Sequence, residues 1–393
     1  MGERMAHRKS RTGCMPCKLR RVKCGEEKPS CLRCVRRHQK CVYPLVVGTP
    51  EEQLASDGLM PNDPSCSSSR RCSATLGDIT RQEELNLMHR YSTETCETLS
   101  NGVPEHLHFW KTTVPDLSRN HAFIVEGILA LAALHAASLD SSSHGLYTQY
   151  AIQYQTSGLV TFQRALRHID EDNLQAIFVF SVMLTVLGIA ISDAYSEHEL
   201  SSPWGSLVSV HKLLRGVKAI SMDHDSSIRT GTASPLFQEH RPVENLLVMP
   251  SDEVAAAMAR LRQRAQFVSK YASRDRHTVY SDGIKALEAG FDGLANFRRV
   301  GVVLAVPANF GHELALLLEE GDPMAQLIWL HYGVLALSIH DQWWGRGFGI
   351  RLISQLSQSL HDLDVEWDTW TEWARRCAGS IKDAPRFDTK TLR

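Results

Sequence analysis

Six of the ten cysteines lie between positions 14 and 41, at Cys14, Cys17, Cys24, Cys31, Cys34 and Cys41, so a run of two and then six intervening residues occurs twice. Thiolates two residues apart chelate one tetrahedral Zn²⁺ at ~2.3 Å per bond, and a third cysteine a helical turn or more away completes most of the shell. Two four-coordinate ions ask for more thiolates than six cysteines supply, so two of the six must bridge. The remaining cysteines, Cys66, Cys72, Cys96 and Cys377, are scattered. The first residues are charged and lack an apolar segment of the secretory kind, which favours a reducing compartment and metal ligation over a disulfide framework.

The residues between the thiols are basic. Residues 1–43 carry thirteen lysines and arginines against three glutamates, a formal +10, and since the whole chain sums to -1 the other 350 residues sum to -11. Two Zn²⁺ on six thiolates would lower the head only to about +8, a charge that suits a polyanionic partner. A basic run alone is commonly a solvated face. Held between metal ligands, Lys18, Arg20, Arg21 and Lys23 acquire a fixed presentation, and nucleic acid becomes the natural partner.

The head resembles the fungal zinc binuclear cluster DNA-binding domain over the whole stretch from Ser10 to Tyr43. That resemblance implies two Zn²⁺ per chain, with Cys14, Cys17, Cys24 and Cys31 on one ion and Cys31, Cys34, Cys41 and Cys14 on the other, so that Cys14 and Cys31 are the bridges. It further implies that the segment Lys18 to Lys23 is a helix offered to the major groove, where Lys and Arg donate to the O6 and N7 acceptors of guanine. Lys18 is expected on bases, and Arg20, Arg21 and Lys23 are divided between bases and phosphates. Pro29 fixes the turn joining two pseudo-symmetric halves; Gly25, where such domains often carry Asp, removes no ligand. With so few apolar residues in the head, metal binding is expected to be its folding reaction. Arg8, Lys9 and Arg11 suit nuclear import or phosphate contacts.

What must position this head is modest, and most of the chain lies behind it. Residues 45–82, with Pro50, Pro61, Pro64, three glycines and the run Ser65 to Ser69, read as a flexible linker. No heptads follow the head, so a coiled-coil dimeriser is not indicated. From about Glu83 apolar residues recur at three- and four-residue steps. Helices are expected over roughly 145–169, 173–192 with Asn173 as N-cap, 203–221, 251–271 with Ser251 as cap, 280–297, 323–340, 347–362 and 365–377. The segment from Asp223 to Pro250 reads as a long loop dividing the region into halves. The apolar run from Ala176 to Ile191 is shorter than the ~20 residues that cross a bilayer and reads as a buried core helix, with no membrane span. Alternating strand patterns are almost absent. The expected architecture is thus a small two-zinc binuclear cluster domain followed by an all-α regulatory domain, with residues 1–44 as the DNA-binding head, 45–82 as linker, 83–378 as the helical domain and 379–393 as a tail.

The helical region in turn resembles the regulatory region of fungal zinc-cluster activators of the sterol-uptake control type, through Leu85 to Thr93, Ile128 to His135, Asp322-Pro323-Met324, His331-Tyr332 and Trp343-Trp344 with Gly349. The resemblance implies a hydrophobic effector pocket for a sterol or other lipid-like molecule, in a domain that governs nuclear activity; many relatives instead regulate one biosynthetic gene cluster, and these motifs look fold-defining in both groups. Trp367, Trp370 and Trp373 share a face and read as core before they read as a pocket wall. His89, His135 and His331 read as packed or surface histidines before ligands. The glycines from Gly345 to Gly349 lack the preceding strand and the spacing of a phosphate loop. No catalytic constellation emerges.

The resulting expectation is a nuclear transcription factor, shuttling from the cytoplasm, that binds double-stranded DNA at RNA polymerase II genes. It would contact the transcription machinery, with homodimerisation through the helical domain, and would act either on lipid and sterol metabolism or on a secondary-metabolite cluster. The alternative is a zinc-headed protein whose helical domain is catalytic or serves only interaction, or one that binds RNA.

Overall fold

The computed structural model describes Cys24 and residues 31–37, 79–194, 205–238, 243, 246–269 and 274–382. It falls into two units, Met1–Cys72 and Ser73–Arg393. In the first, the described helix is the single turn α1 (Leu32–Val35). The second is predominantly helical, and among its described residues no strand occurs.

The second unit opens with α2 (Arg81–Arg90), whose first turn is closed by Thr80, the hydroxyl accepting from Glu83 N at 3.2 Å. A π-helical turn, Tyr91–Thr95, continues α2 into α3 (Cys96–Leu99). The Tyr91 hydroxyl donates to the Trp110 carbonyl at 2.9 Å, tying this turn to a second π-turn, Phe109–Thr113, which joins α4 (Pro104–His108) to α5 (Val114–Leu117). Pro104 and Pro115 stand at helix starts, where their missing N–H is harmless.

Next come three long helices, α6 (Ala122–Leu139), α7 (His144–Ala165) and α8 (Glu171–Ala194). Phe180 of α8 wedges between the other two, its ring within 5.3 Å of Phe123 and 4.9 Å of Phe162. Space for it exists because Gly127 and Gly158 face it; a Cβ at either would come within about 3 Å of the Phe180 ring. By length and apolarity α6 and the Glu171–Ile191 stretch of α8 would each suffice to cross a bilayer, yet 72% and 78% of those residues are buried inside the unit. The apolar run from Ala176 is thus one part of a longer core helix. Its start also differs from the sequence expectation. Asn173 lies inside α8, and Asp170 precedes the helix, its carboxylate accepting from Asn173 N at 3.0 Å while Asn173 Oδ1 accepts from Asp170 N at 3.1 Å.

α9 (Gly205–Asp223) packs on α8 and leads into the region expected to be a loop. Instead that region holds α10 (Asp225–Thr230) and a 3₁₀ turn, Ser234–Phe237. The polar α10 buries only Ile228, so it carried no period to read. Gln175 of α8 holds it in place, donating to the Ser227 carbonyl at 2.8 Å and accepting from Ala233 N at 3.0 Å. The segment lies within Ser73–Arg393, which is one contact unit.

Then follow α11 (Ser251–Ser269), α12 (Arg274–Phe297), α13 (Val300–Asn309), α14 (His312–Glu319) and α15 (Pro323–Ala336). Every residue from Met324 to Ile339 is buried, so α15 and the 3₁₀ turn after it have no polar face at all. Asp322 caps α15, accepting from Ala325 N at 2.8 Å, with Pro323 in the first turn. The same carboxylate accepts from the Tyr280 hydroxyl at 2.9 Å and from Arg276 at 3.0 Å, which anchors α12 to this helix start. α16 (Phe348–Leu363) and α17 (Asp368–Lys382) complete the cover over α15.

The α15–α16 crossing brings backbone against backbone. A Cβ on Gly349 would meet the Gly333 carbonyl oxygen and Leu337 N at 2.9 Å each, both backbone atoms that cannot rotate aside. Gly349→Ala is therefore expected to destabilise the unit by about 1–3 kcal/mol. Gly379→Ala, on α17 with nothing within 4 Å of its Cβ, should stabilise it by up to ~1 kcal/mol through helix propensity. Urea unfolding of the two variants beside the parent checks this opposition of sign.

Candidate zinc and DNA site, and the residues of the helical unit

In the head, Cys24, Cys31 and Cys34 are buried, Cys31 completely. Cys31 precedes α1 with extended backbone, and its carbonyl accepts from Cys34 N at 2.9 Å, so the two thiols sit one helical turn apart. Arg36 N donates to the Leu32 carbonyl at 3.0 Å and Arg37 N to that of Cys34 at 3.1 Å. This turn keeps Arg33, Arg36 and Arg37 exposed while the sulfurs turn inward. Three buried thiols suit soft metal ligation. The other expected ligands, Cys14, Cys17 and Cys41, and the expected DNA contacts, Lys18, Arg20, Arg21 and Lys23, lie outside the described residues.

In the helical unit the residues that tempted a catalytic or ligand reading have packing roles. His135 is buried, its Nδ1 3.0 Å from the Thr95 hydroxyl and its ring stacked on Trp343 at 5.1 Å. Trp343 in turn donates to Thr98 at 2.9 Å, closing a bridge from α6 to α3. His331 donates from Nδ1 to the Leu327 carbonyl at 2.8 Å and lies 5.6 Å from the Trp373 ring. His89 is exposed. His211, which nothing in the sequence singles out, is almost wholly buried and donates from Nδ1 to the Pro307 carbonyl at 2.9 Å. Among the described residues no three His, Cys, Asp or Glu side chains converge as a metal site would require.

The tryptophans behave as core. Trp367 and Trp373 are buried, and the Arg264 guanidinium lies over Trp367 at 4.3 Å and Trp370 at 5.2 Å. Arg264 also pairs with Glu366 at 3.0 Å, and the Trp373 indole donates to Glu253 at 3.2 Å. α11 and α17 are thus joined by an arginine held between rings. The Gly345–Gly349 stretch is a turn pressed against Ile339, where a Cβ at Gly345 would come 2.7 Å from a backbone oxygen. It is a packing turn.

Burial governs the titration of these groups. Desolvation drives His135, His211 and His331 down from the ordinary 6.5 to about 4 each. It pushes the phenols of Tyr91, Tyr280 and Tyr332 up, with the Asp322 charge adding to the effect at Tyr280. The three imidazoles are neutral in the folded unit at pH 7.

Two family descriptions match the chain. Residues 12–47 match the fungal Zn(2)-Cys(6) binuclear cluster domain, and residues 86–233 match the fungal specific transcription factor domain. The chain is 34% identical over 148 residues to the Zn(2)-C6 fungal-type transcription factor afumD of Aspergillus fumigatus, a match that covers 37% of each protein. It is 25% identical to a Zn(2)-C6 fungal-type transcription factor of Gibberella zeae across 96% of this chain and 87% of that one. Sterol uptake control protein 2 of Saccharomyces cerevisiae is 50% identical over 42 residues, 11% of this chain and 6% of that protein. That last likeness is too short to span the helical unit.

A buried imidazole that resists protonation couples folding to pH. Between pH about 4 and 6.5 the unfolded chain binds more protons than the folded one, so stability is fully present above 6.5 and is lost as pH falls toward 4. The slope is up to about 1.4 kcal/mol per pH unit for each histidine. Urea midpoints of the full chain at pH 7.5, 6 and 5 should fall in that order, and His135→Gln should flatten the fall.

Proposed function

We propose that this chain, a fungal transcription factor of the Zn(2)-C6 type, grips double-stranded DNA through a head folded on two zinc ions and takes its regulatory input through the helical unit. The observation that carries the reading is the doubled cysteine spacing within a strongly basic segment, matched as a Zn(2)-Cys(6) cluster domain at residues 12–47. The domain itself implies zinc binding, and the transcription-factor family implies DNA binding and a nuclear site of action.

Cys14, Cys17, Cys24, Cys31, Cys34 and Cys41 are the ligands, with Cys14 and Cys31 shared between the ions. Burial of Cys24, Cys31 and Cys34 supports this. When bound, zinc supplies a cross-link that stands in for a hydrophobic core and needs no redox change. Lys18, Arg20, Arg21 and Lys23 carry the DNA contact, Lys18 on bases. The arginines of α1 add exposed positive charge to the same head. Residues 1–44 form the DNA-binding domain, 45–82 the linker, 83–378 the regulatory domain and 379–393 a tail.

The helical unit is regulatory rather than catalytic in this reading, as the fungal transcription factor domain matched at residues 86–233 implies. It is the surface for the transcription machinery and for a second copy of the chain, and its apolar interior is where a sterol or other lipid-like effector would act. Target genes belong either to lipid and sterol metabolism or to a secondary-metabolite cluster. Retention in the cytoplasm and release to the nucleus fit a protein with an effector-governed helical unit.

Elemental analysis of the purified full chain should give two zinc atoms per polypeptide. A strong chelator should abolish binding to double-stranded DNA while leaving the helical circular dichroism of the second unit in place. Zero zinc, or DNA binding that survives chelation, would overturn the reading. Binding to DNA should also weaken steeply between low and physiological salt, by ~10³-fold or more if six or so phosphates are neutralised, and Lys18→Ala should lower the preference for specific over random sequence by roughly tenfold.

A further inference from the structure

α7 differs from the other surface helices in its lack of charge. Its 22 residues include no Asp, Glu or Lys and a single Arg, Arg164, in the last turn. By comparison α11 holds five charged side chains in 19 residues and α17 five in 15. One side of α7 packs on α6 and α8. The other is exposed at Leu146, Gln149, Gln153, Thr156, Val160 and Gln163, and Leu146 and Val160 keep 50% and 58% of their surface in water. These six recur at alternating intervals of three and four, which is the period of a helix–helix seam.

A solvated helix face ordinarily carries charge, whereas the core of an interface is depleted of it. The rest of the chain indicates what covers this one. The 350 residues behind position 43 sum to a formal -11, so two copies repel over most of their surface and approach most readily where charge is missing. A two-fold contact also needs a face complementary to itself. Gln carries donor and acceptor in one side chain, so Gln149, Gln153 and Gln163 can pair with their own kind, as a row of Lys or of Glu cannot. Thr156 gives its hydroxyl proton to the Ile152 carbonyl at 2.7 Å, so its oxygen is available as an acceptor. The intervals read the same from either end. Antiparallel pairing about the middle of α7 therefore sets Gln153 against Thr156 of the second copy, Gln149 against its Val160 and Leu146 against its Gln163, with the helix dipoles opposed.

We propose that the exposed face of α7 is the seam of a two-fold homodimer, helix packed antiparallel against helix. The proposal rests on the reading of the helical unit as the surface for a second copy, and adds which face is used. From Leu146 to Gln163 the seam runs about 25 Å at ~1.5 Å rise per residue, and a contact of that extent belongs to the small, reversible class of interface.

The test is sedimentation equilibrium of the full chain across the micromolar range, where a monomer–dimer equilibrium is expected. Added salt should leave the dimer intact or strengthen it, because screening relieves the repulsion between acidic copies and no ion pair crosses the seam. Gln153→Glu together with Thr156→Glu gathers four carboxylates around the two-fold axis and should raise the dimer Kd by ~10-fold or more. The matched pair Gln263→Glu with Gln266→Glu, on the exposed side of α11, should leave it unchanged. Mixing the α7 glutamate variant with a chain carrying Gln153→Lys and Thr156→Lys should restore a dimer with one copy of each, which also shows that both variants fold. A dimer unmoved by the α7 substitutions, or weakened equally by those on α11, would overturn the α7 seam and leave a second copy elsewhere on the helical unit. Dissociation by added salt would overturn it in the same way. A chain that stays monomeric throughout would overturn both the seam and the second copy.

Discussion

A helix with no polar face must be covered on every side, and α15 is such a helix. From Met324 to Ile339 nothing reaches solvent, so the rest of the Ser73–Arg393 unit is arranged to enclose it. α12, α14, α16 and α17 pack directly on α15. The devices that make this possible are specific: Asp322 caps its start and holds Tyr280 and Arg276, and Gly333 with Gly349 lets α16 approach until backbone meets backbone. α9 reaches α15 through His211 against Trp329, and α8 meets α16, which joins this core to the layer of α6, α7 and α8.

The head solves the opposite problem. Its sequence offers few apolar side chains and a formal +10 over residues 1–43, which would spread a short chain apart unless something bound it together. Cysteine supplies that binding through metal, and the same charge that opposes folding attracts a phosphate backbone. One unit is thus stabilised by burial and carries the acidic share of the chain; the other depends on coordination and carries the basic share. That division of labour is the physical content of the transcription-factor assignment.

Much of this was legible beforehand. The cysteine spacing and interposed lysines disclosed the head without any structure, because metal ligation imposes spacing directly on sequence. The long helices followed from their apolar period, and Asp322-Pro323 is a helix start that can be read by eye. What escaped notice lacked a periodic signal. α10 is short and polar and buries one side chain. α13 is apolar on most faces and interrupted by Pro307, and the true cap of α8 lay at Asp170 because the reciprocal bond with Asn173 depends on geometry. His211 looks like any histidine in a mixed segment; only the distant Pro307 carbonyl and the Trp329 ring reveal its burial. Of the residues singled out beforehand, Asp322 serves as a helix cap, Gly349 as a crossing point and His135 with Trp343 as a stacked pair.

Fold-level likeness therefore speaks to how the chain is built, and the choice of target genes is not written in it. The central question is whether the thiolate cluster places the protein on chromatin. Genome-wide occupancy of the full chain, measured beside Cys31→Ala in the same cells, tests this most directly. Discrete sites for the parent chain that vanish for Cys31→Ala, with the helical unit still folded and the protein level equal, are the predicted result. Occupancy that persists unchanged without Cys31 would contradict it.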